Sequence, residues 1–173
     1  MEHFWKDQAL LHSGKVEVVM LNLSAEKVQI KGLSSMAGNA TDLSQFANGS
    51  FDLVFSNSVI EHLYTWENQQ KMAKEAIRVG KKYFVQTPNR HFFMEAHYAL
   101  PFVQYLPKNL THFLLTKTRL SRGSKWNPKD AQQYLDEIRL LSEREMKMLF
   151  PAATIYKEKF IGMDKSYSAH NMS

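Results

Sequence analysis

The stretch Asn48-Gly49-Ser50-Phe51-Asp52-Leu53-Val54-Phe55-Ser56-Asn57-Ser58-Val59-Ile60-Glu61-His62-Leu63 decides the fold. Asn48-Gly49-Ser50 is a turn signal, and the apolar run after it, Phe51 to Ser56, predicts a strand buried on both faces. Ser58 and Glu61 stand three apart, the spacing of a capping box, which predicts a helix starting there. From Trp66 to Val79, apolar residues at Trp66, Met72, Ala73, Ala76 and Ile77 alternate with Lys71, Lys74, Glu75 and Arg78. That pattern predicts a helix with Gly80 as its C-cap. Lys82 to Thr87 then reads as a strand stopped by Pro88.

Working outward, Val16 to Leu21 is a β-branched run preceded by Gly14 and closed by Asn22-Leu23-Ser24, which predicts a buried strand. A helix or turn is expected from Ala25, and a second short strand from Leu33 to Ala37. Alternating strands and helices in this order imply a parallel sheet with crossovers. Beyond Pro88 the pattern loosens, since Pro101 and Pro107 interrupt an aromatic stretch from His97 to Phe113. Asp130 to Leu141 predicts a helix, and Ser142-Glu143-Arg144-Glu145 a capping box opening a short helix to Phe150. Ala153 to Phe160 and Ser166 to His170 predict two closing antiparallel strands. The expected architecture is one α/β domain over residues 1–173, mostly parallel, with an antiparallel C-terminal hairpin.

Composition narrows the chemistry. With 44% hydrophobic and 23% charged residues the chain has globular rather than disordered character. Having no cysteine among its 173 residues, it lacks disulfides, thiolate metal sites and a cysteine nucleophile. The N-terminus carries no secretory signal and no run reaches the roughly 18 apolar residues of a membrane span, so the cytoplasm is the expected compartment. The formal charge of +5 comes from one place. Between Ala96 and Lys129 there is no acidic residue, while Lys108, Lys117, Arg119, Arg122, Lys125 and Lys129 are all cationic. Six charges spread so thinly, with no recognition motif, argue against a nucleic-acid partner.

Gly38-Asn39-Ala40-Thr41-Asp42-Leu43, the stretch from Asn48 to Leu63, Val85-Gln86-Thr87-Pro88-Asn89 and Phe160-Ile161-Gly162-Met163-Asp164-Lys165-Ser166 together resemble a class I S-adenosylmethionine-dependent methyltransferase. The resemblance spans nearly the whole chain and implies a Rossmann-like sheet with S-adenosylmethionine as cofactor. It implies that Asn22, Leu23, Asn39, Ala40 and Thr41 line the ribose and adenine side, with Ser56 and Asn57 near the reacting centre. Asn22 stands where most of the family has an acidic residue, and Asn39 where an aspartate is usual; amides there exchange charge-assisted contacts for neutral ones. By the family's order, its first strand and glycine-rich loop would precede residue 1, and Glu2-His3-Phe4-Trp5-Lys6 resembles the segment just after that loop. The expected sheet therefore lacks a central strand, leaving two neighbours with amides to satisfy.

Candidate reactive residues have a plain reading beside the chemical one. Ser56-Asn57-Ser58 lies either at a ligand-binding strand end or in a strand-to-helix turn. His62 is either a base for an acceptor hydroxyl or a packing residue, with Glu61 completing the cap. His91, Glu95 and His97 carry ligand-type groups, but helical spacing would put His97 to the side of the other two, so no metal site is read; His97 is kept as an acceptor contact. The apolar run from Tyr98 to Leu115 is either a peripheral membrane contact or a helical cover over the sheet. The expected function is methyl transfer to a small-molecule or saccharide acceptor. The alternative is a truncated, non-catalytic relative that serves as a binding partner, with a homo-oligomer completing the sheet.

Overall fold

The computed structural model describes residues 8–172, so the Glu2–Lys6 segment lies outside the described residues. The chain divides into two compact units, one ending at Phe46 and the other beginning at Ala47.

In the first unit a one-turn helix, α1 (Ala9–His12), precedes the parallel pair β1 (Val18–Asn22) and β2 (Leu33–Ala37). Their register runs from Val18 opposite Leu33 to Asn22 opposite Ala37. The connection after Ala25 contains a turn at Lys31 and Gly32 and no helix. About ten residues is the short limit for joining parallel strands, and it leaves no room for a helix flanked by two loops. Leu11, Met20, Leu33 and Leu43 are buried. As the chain leaves β2, the Gly38 amide donates to the Asn22 carbonyl at 2.8 Å, and a Cβ at 38 would stand 2.6 Å from Leu21 Cδ1. Glycine lets the backbone close on the end of β1 there.

The second unit is built on a four-stranded sheet in the order β3 (Phe51–Asn57), β4 (Gly80–Pro88), β8 (Met163–His170), β7 (Thr154–Phe160). β3 and β4 are parallel, joined through α2 (Trp66–Val79), while β8 runs antiparallel to both β4 and β7. Thr65 caps α2 by accepting the Asn68 amide at 3.2 Å, and the helix buries Met72, Ala73, Ala76 and Val79. Gly80 is the C-cap as expected, its amide donating to the Ala76 carbonyl, but it is extended at φ −96° rather than left-handed and at once starts β4. A Cβ there would meet the Lys82 carbonyl at 2.7 Å and Val54 Cγ2 at 2.8 Å. The Ser142 capping box forms as expected and opens α5 (Glu143–Leu149). Tyr83, Val85 and Thr87 turn one face of β4 inward, and Leu141, Met146 and Phe150 are buried in the same unit, with the Phe150 ring 5.5 Å from Tyr83.

The other sheet face is not covered as the apolar run of β3 predicted. Leu53 is 48% exposed and Phe55 66%, and among the described residues β4 is the only strand paired with β3. An edge strand with one packed face needs burial only there. Across this face the rings of Phe55, Phe84 and His170, aligned by the register of three strands, stack at 5.5 and 6.4 Å.

Between β4 and the closing hairpin the chain makes a two-residue ladder, β5 (Met94–Glu95) with β6 (Leu100–Pro101), then α3 (Lys108–Lys117) and α4 (Pro128–Glu137). Tyr98, Leu100, Val103, Leu115, Ala131 and Leu135 form a core of their own, with Trp126 and Ile138 against it. α3 thus packs on α4 instead of simply roofing the sheet. α4 begins at Pro128, capped by Asn127, and stops at Glu137 rather than continuing to Leu141. Residues 138–141 are drawn elsewhere: the Arg139 amide donates to the Glu61 carbonyl at 2.8 Å and the Arg90 amide to the Leu141 carbonyl at 3.0 Å. No helix among the described residues is long and apolar enough to cross a membrane.

Candidate functional site

The capping box expected at Ser58 does not form. Ser58 has φ 53°, and both its amide and its hydroxyl donate to Gln86 Oε1 at 3.1 Å, which removes the serine oxygen from any helix start. The chain makes only a single 3-10 turn, Ile60–His62, before Tyr64 takes another left-handed conformation, φ 62°. Such conformations cost a non-glycine residue free energy and persist where surrounding bonds enforce them. Here the Tyr64 amide donates to the Glu137 carbonyl at 3.2 Å, and Gln69, fully buried, donates to the carbonyls of Ile60 and Arg139.

This clamp fixes Glu61 and His62. Glu61 is completely buried; its Oε2 accepts the Thr87 hydroxyl at 3.0 Å, while Oε1 has no partner among the described residues. Burial pushes its carboxyl pKa upward, against the pull of its backbone and Thr87 hydrogen bonds. His62 Nδ1 lies 2.8 Å from Glu137 Oε1, and its Nε2 lies 3.2 Å from Nε2 of His97, whose Nδ1 is 2.7 Å from Glu95 Oε1. Glu95, buried, also accepts the Tyr98 amide at 2.8 Å. Burial disfavours a charge on His97, but the hydrogen bond and field of Glu95 outweigh it and raise the pKa. The ligand-type atoms of Glu61, His62 and His97 all lie within 4.8 Å of one another.

Sequence spacing suggested neither this cluster nor its supports. The segment around residues 91–97 is a turn and a short ladder rather than a helix, so His91 is separated from the pair it was considered with. Its amide donates to Asn89 Oδ1 and its ring lies 3.4 Å from the Tyr105 hydroxyl. Glu95 and Glu137 were missed as orienting carboxylates, and Glu61 was read as a cap. The local signal for one of them was the Glu-x-His spacing at 95 and 97, which the turn following β5 closes into a hydrogen bond.

Ser56, at the end of β3, is buried with a hydroxyl that has no partner among the described residues. Asn57 lines an open cleft of about 370 Å³ on the sheet face with Phe84, Gln86, Tyr156, Ser168 and His170. In the first unit, Asn22 Nδ2 is a buried donor without a partner among the described residues, and Leu23 is 90% exposed at the strand end. Asn39 Oδ1 accepts both the amide and the hydroxyl of Thr41, at 3.0 and 2.9 Å, so the oxygen expected to meet an adenine amino group is spent on closing its own turn around Ala40.

Residues 8–83 match the family described as a methyltransferase domain. No curated protein matches the sequence. Among solved structures, an S-adenosylmethionine-dependent methyltransferase from Methanosarcina mazei superposes with a TM-score of 0.51 at 13% identity, over 95% of this chain and 85% of that one. A protein from Pyrococcus horikoshii OT3 gives 0.51 at 19% identity, over 93% and 75%. A Rhodobacter sphaeroides protein described as a zinc-dependent alcohol dehydrogenase gives 0.50 at 12%, over 89% and 74%. Likeness at such identities shows the fold alone. The chain thus resembles the class I S-adenosylmethionine-dependent methyltransferases as its sequence implied, with their Rossmann-like fold, and the match over residues 8–83 indicates S-adenosylmethionine as cofactor and methylation as the general reaction.

Proposed function

We propose that the protein methylates a hydroxyl of a small-molecule or saccharide acceptor, with His62 receiving the acceptor's proton. The observation that carries this reading is the His62 and Glu137 pair at 2.8 Å, which holds the ring by Nδ1 and turns Nε2 toward His97. A histidine held in one tautomer by a carboxylate is suited to take a proton from a hydroxyl as it attacks. His97, turned toward His62 at 3.2 Å, is the second contact for the acceptor.

The residues of the first unit fit the cofactor. Asn22 Nδ2, without a partner among the described residues, is a donor for a ribose oxygen, exposed Leu23 offers apolar surface beside it, and the Asn39 amide group keeps only its donor for the base. S-adenosylmethionine, when bound, supplies a sulfonium methyl open to in-line displacement. What the chain contributes is positioning by Ser56 and Asn57 at the end of β3 and a proton acceptor at His62 Nε2.

Calorimetric titration of the whole chain with S-adenosylmethionine and its demethylated product, followed by an acceptor screen, tests the reading. Saturable binding, weakened about 5- to 10-fold by Asn22→Ala as expected for one hydrogen bond, supports the cofactor assignment. Turnover reduced about 10²- to 10⁴-fold by His62→Ala, with cofactor binding retained, supports the proton-acceptor role. A folded chain that binds neither compound would favour a non-catalytic binding partner.

A further inference from the structure

Both rings at the centre of the site have Nδ1 committed to a carboxylate, His62 to Glu137 and His97 to Glu95. An ionised carboxylate only accepts, so each Nδ1 carries the hydrogen and each Nε2 of a neutral ring is a bare lone pair. These lone pairs face one another across 3.2 Å. A carboxylate oxygen of Glu61 lies within 4.8 Å of ligand-type nitrogens of both rings, and its Oε1 is buried without a donor among the described residues. With both rings neutral, acceptors converge here and repel one another until a cation, a proton or a metal ion, stands among them.

We propose that Glu61, His62 and His97 bind a divalent transition-metal ion of the zinc class through the Glu61 carboxylate and the two Nε2 atoms. Spacing, supporting carboxylates and local charge support this site. At a zinc–nitrogen distance of about 2.0–2.1 Å, two ligands at a tetrahedral angle stand about 3.3 Å apart, close to the separation of the two nitrogens. Glu137 and Glu95 supply the carboxylate behind each imidazole that metal-bound histidines almost always have, fixing tautomer and ring orientation. Carboxyl groups surround the rings at Glu61, Glu95 and Glu137, and of the two arginines nearby Arg139 is paired with Glu145 while Arg122, which donates to the Ala96 carbonyl, keeps its charge. Two imidazoles and one carboxylate suit zinc, iron(II), cobalt or nickel better than magnesium or calcium, which favour all-oxygen shells. Three protein ligands also leave a coordination position for an exogenous group, the pattern of sites that act on a substrate.

This inference does not rest on methyl transfer, because its readout is binding. A bound ion would occupy the lone pair of His62 and turn a proton acceptor into a ligand, so its presence would revise the role proposed for that residue in methyl transfer.

The test uses the whole chain after chelator treatment and dialysis, with cobalt(II) as an optical probe and zinc in calorimetry. The expected result is one ion per chain, with visible cobalt absorption that zinc abolishes. His62→Ala and His97→Ala should each weaken uptake by about 10²-fold or more. Glu95→Gln, which touches no ion, should weaken it by about 10- to 100-fold through the orientation of His97. Glu61→Gln, a near-isosteric change, guards against a folding artefact, and His12→Ala, exposed in the other unit, should change nothing. A folded wild-type chain that takes up no stoichiometric ion, or uptake that survives His97→Ala and Glu61→Gln, overturns the proposal and leaves a shared proton as what joins the two rings.

Discussion

Glu145 meets four donors: the amide and hydroxyl of Ser142 and the guanidinium groups of Arg139 and Arg90. Burial alone would raise its pKa, but these donors outweigh burial and hold it below the ordinary carboxylate value. A folded-state pKa below the unfolded one gives stability that is present above the ordinary carboxylate range and lost as pH falls through the depressed value. Glu145→Gln should therefore destabilise the protein by about 1.5–3 kcal/mol near neutrality, with the difference vanishing in acid. Urea denaturation at several pH values would check this, and a penalty independent of pH would contradict it. Arg139 passes the effect toward the site, because it also donates to Gln69 Oε1, lies over the Trp66 ring at 5.0 Å and has its amide on the Glu61 carbonyl. Of these residues only Ser142 and Glu145 were legible in the sequence, because their three-residue spacing is itself the interaction. Gln69 and Arg139 are joined over 70 positions, a distance that no local pattern encodes.

At the scale of elements, legibility followed whether a segment's bonds were local. β1, β2, α2, β4, α5 and the β7–β8 hairpin were legible from periodicity and punctuation. The Ser58 box has the same spacing as the Ser142 box, yet the one fails and the other forms. Gln86, on the neighbouring strand, outcompetes the local helix start for the Ser58 hydroxyl, whereas the Ser142 hydroxyl meets its own third residue. Residues 90–107 were illegible because two short strands, a 3-10 turn and a separate core replace any regular period. The junction of α2 and β4 gives a sharp test of local fit. Gly80→Ala should destabilise by about 1–3 kcal/mol, since its methyl would press on the Lys82 carbonyl and Val54, and backbone cannot yield as a side-chain tip can. Thermal and urea unfolding would measure it, and an unchanged or increased stability would show that the junction relaxes.

For the whole molecule, the sheet distribution predicts an order of local opening. β4 is hydrogen-bonded on both sides and buries Tyr83, Val85 and Thr87, whereas β1 and β2 form a two-stranded sheet, an arrangement weak by itself. In native-state hydrogen exchange, amides of β4 should be the slowest and those of β1 and β2 markedly faster. Saturating S-adenosylmethionine should slow β1 and β2 more than β4, since Asn22 and Leu23 close the first strand. Equal protection in both sheets before addition of the cofactor would count against this ordering. The residues proposed for the cofactor stand in short contiguous stretches, 22–23 and 39–41, which a sequence displays, while the His–Glu cluster joins residues 61, 62, 95, 97 and 137 from separate segments.

The two tryptophans among the described residues give that His–Glu cluster an optical readout. Trp66 lies under Arg139, and Trp126 packs on Tyr98 at 5.8 Å and Tyr134 at 5.4 Å while its indole N–H donates to the Ser121 hydroxyl. One indole therefore senses the clamp holding Glu61 and the other the small core from which Glu95 and His97 project. Single-tryptophan variants would convert occupancy of the site into a change in emission, so that a candidate acceptor or ion could be ranked by fluorescence without a catalytic assay.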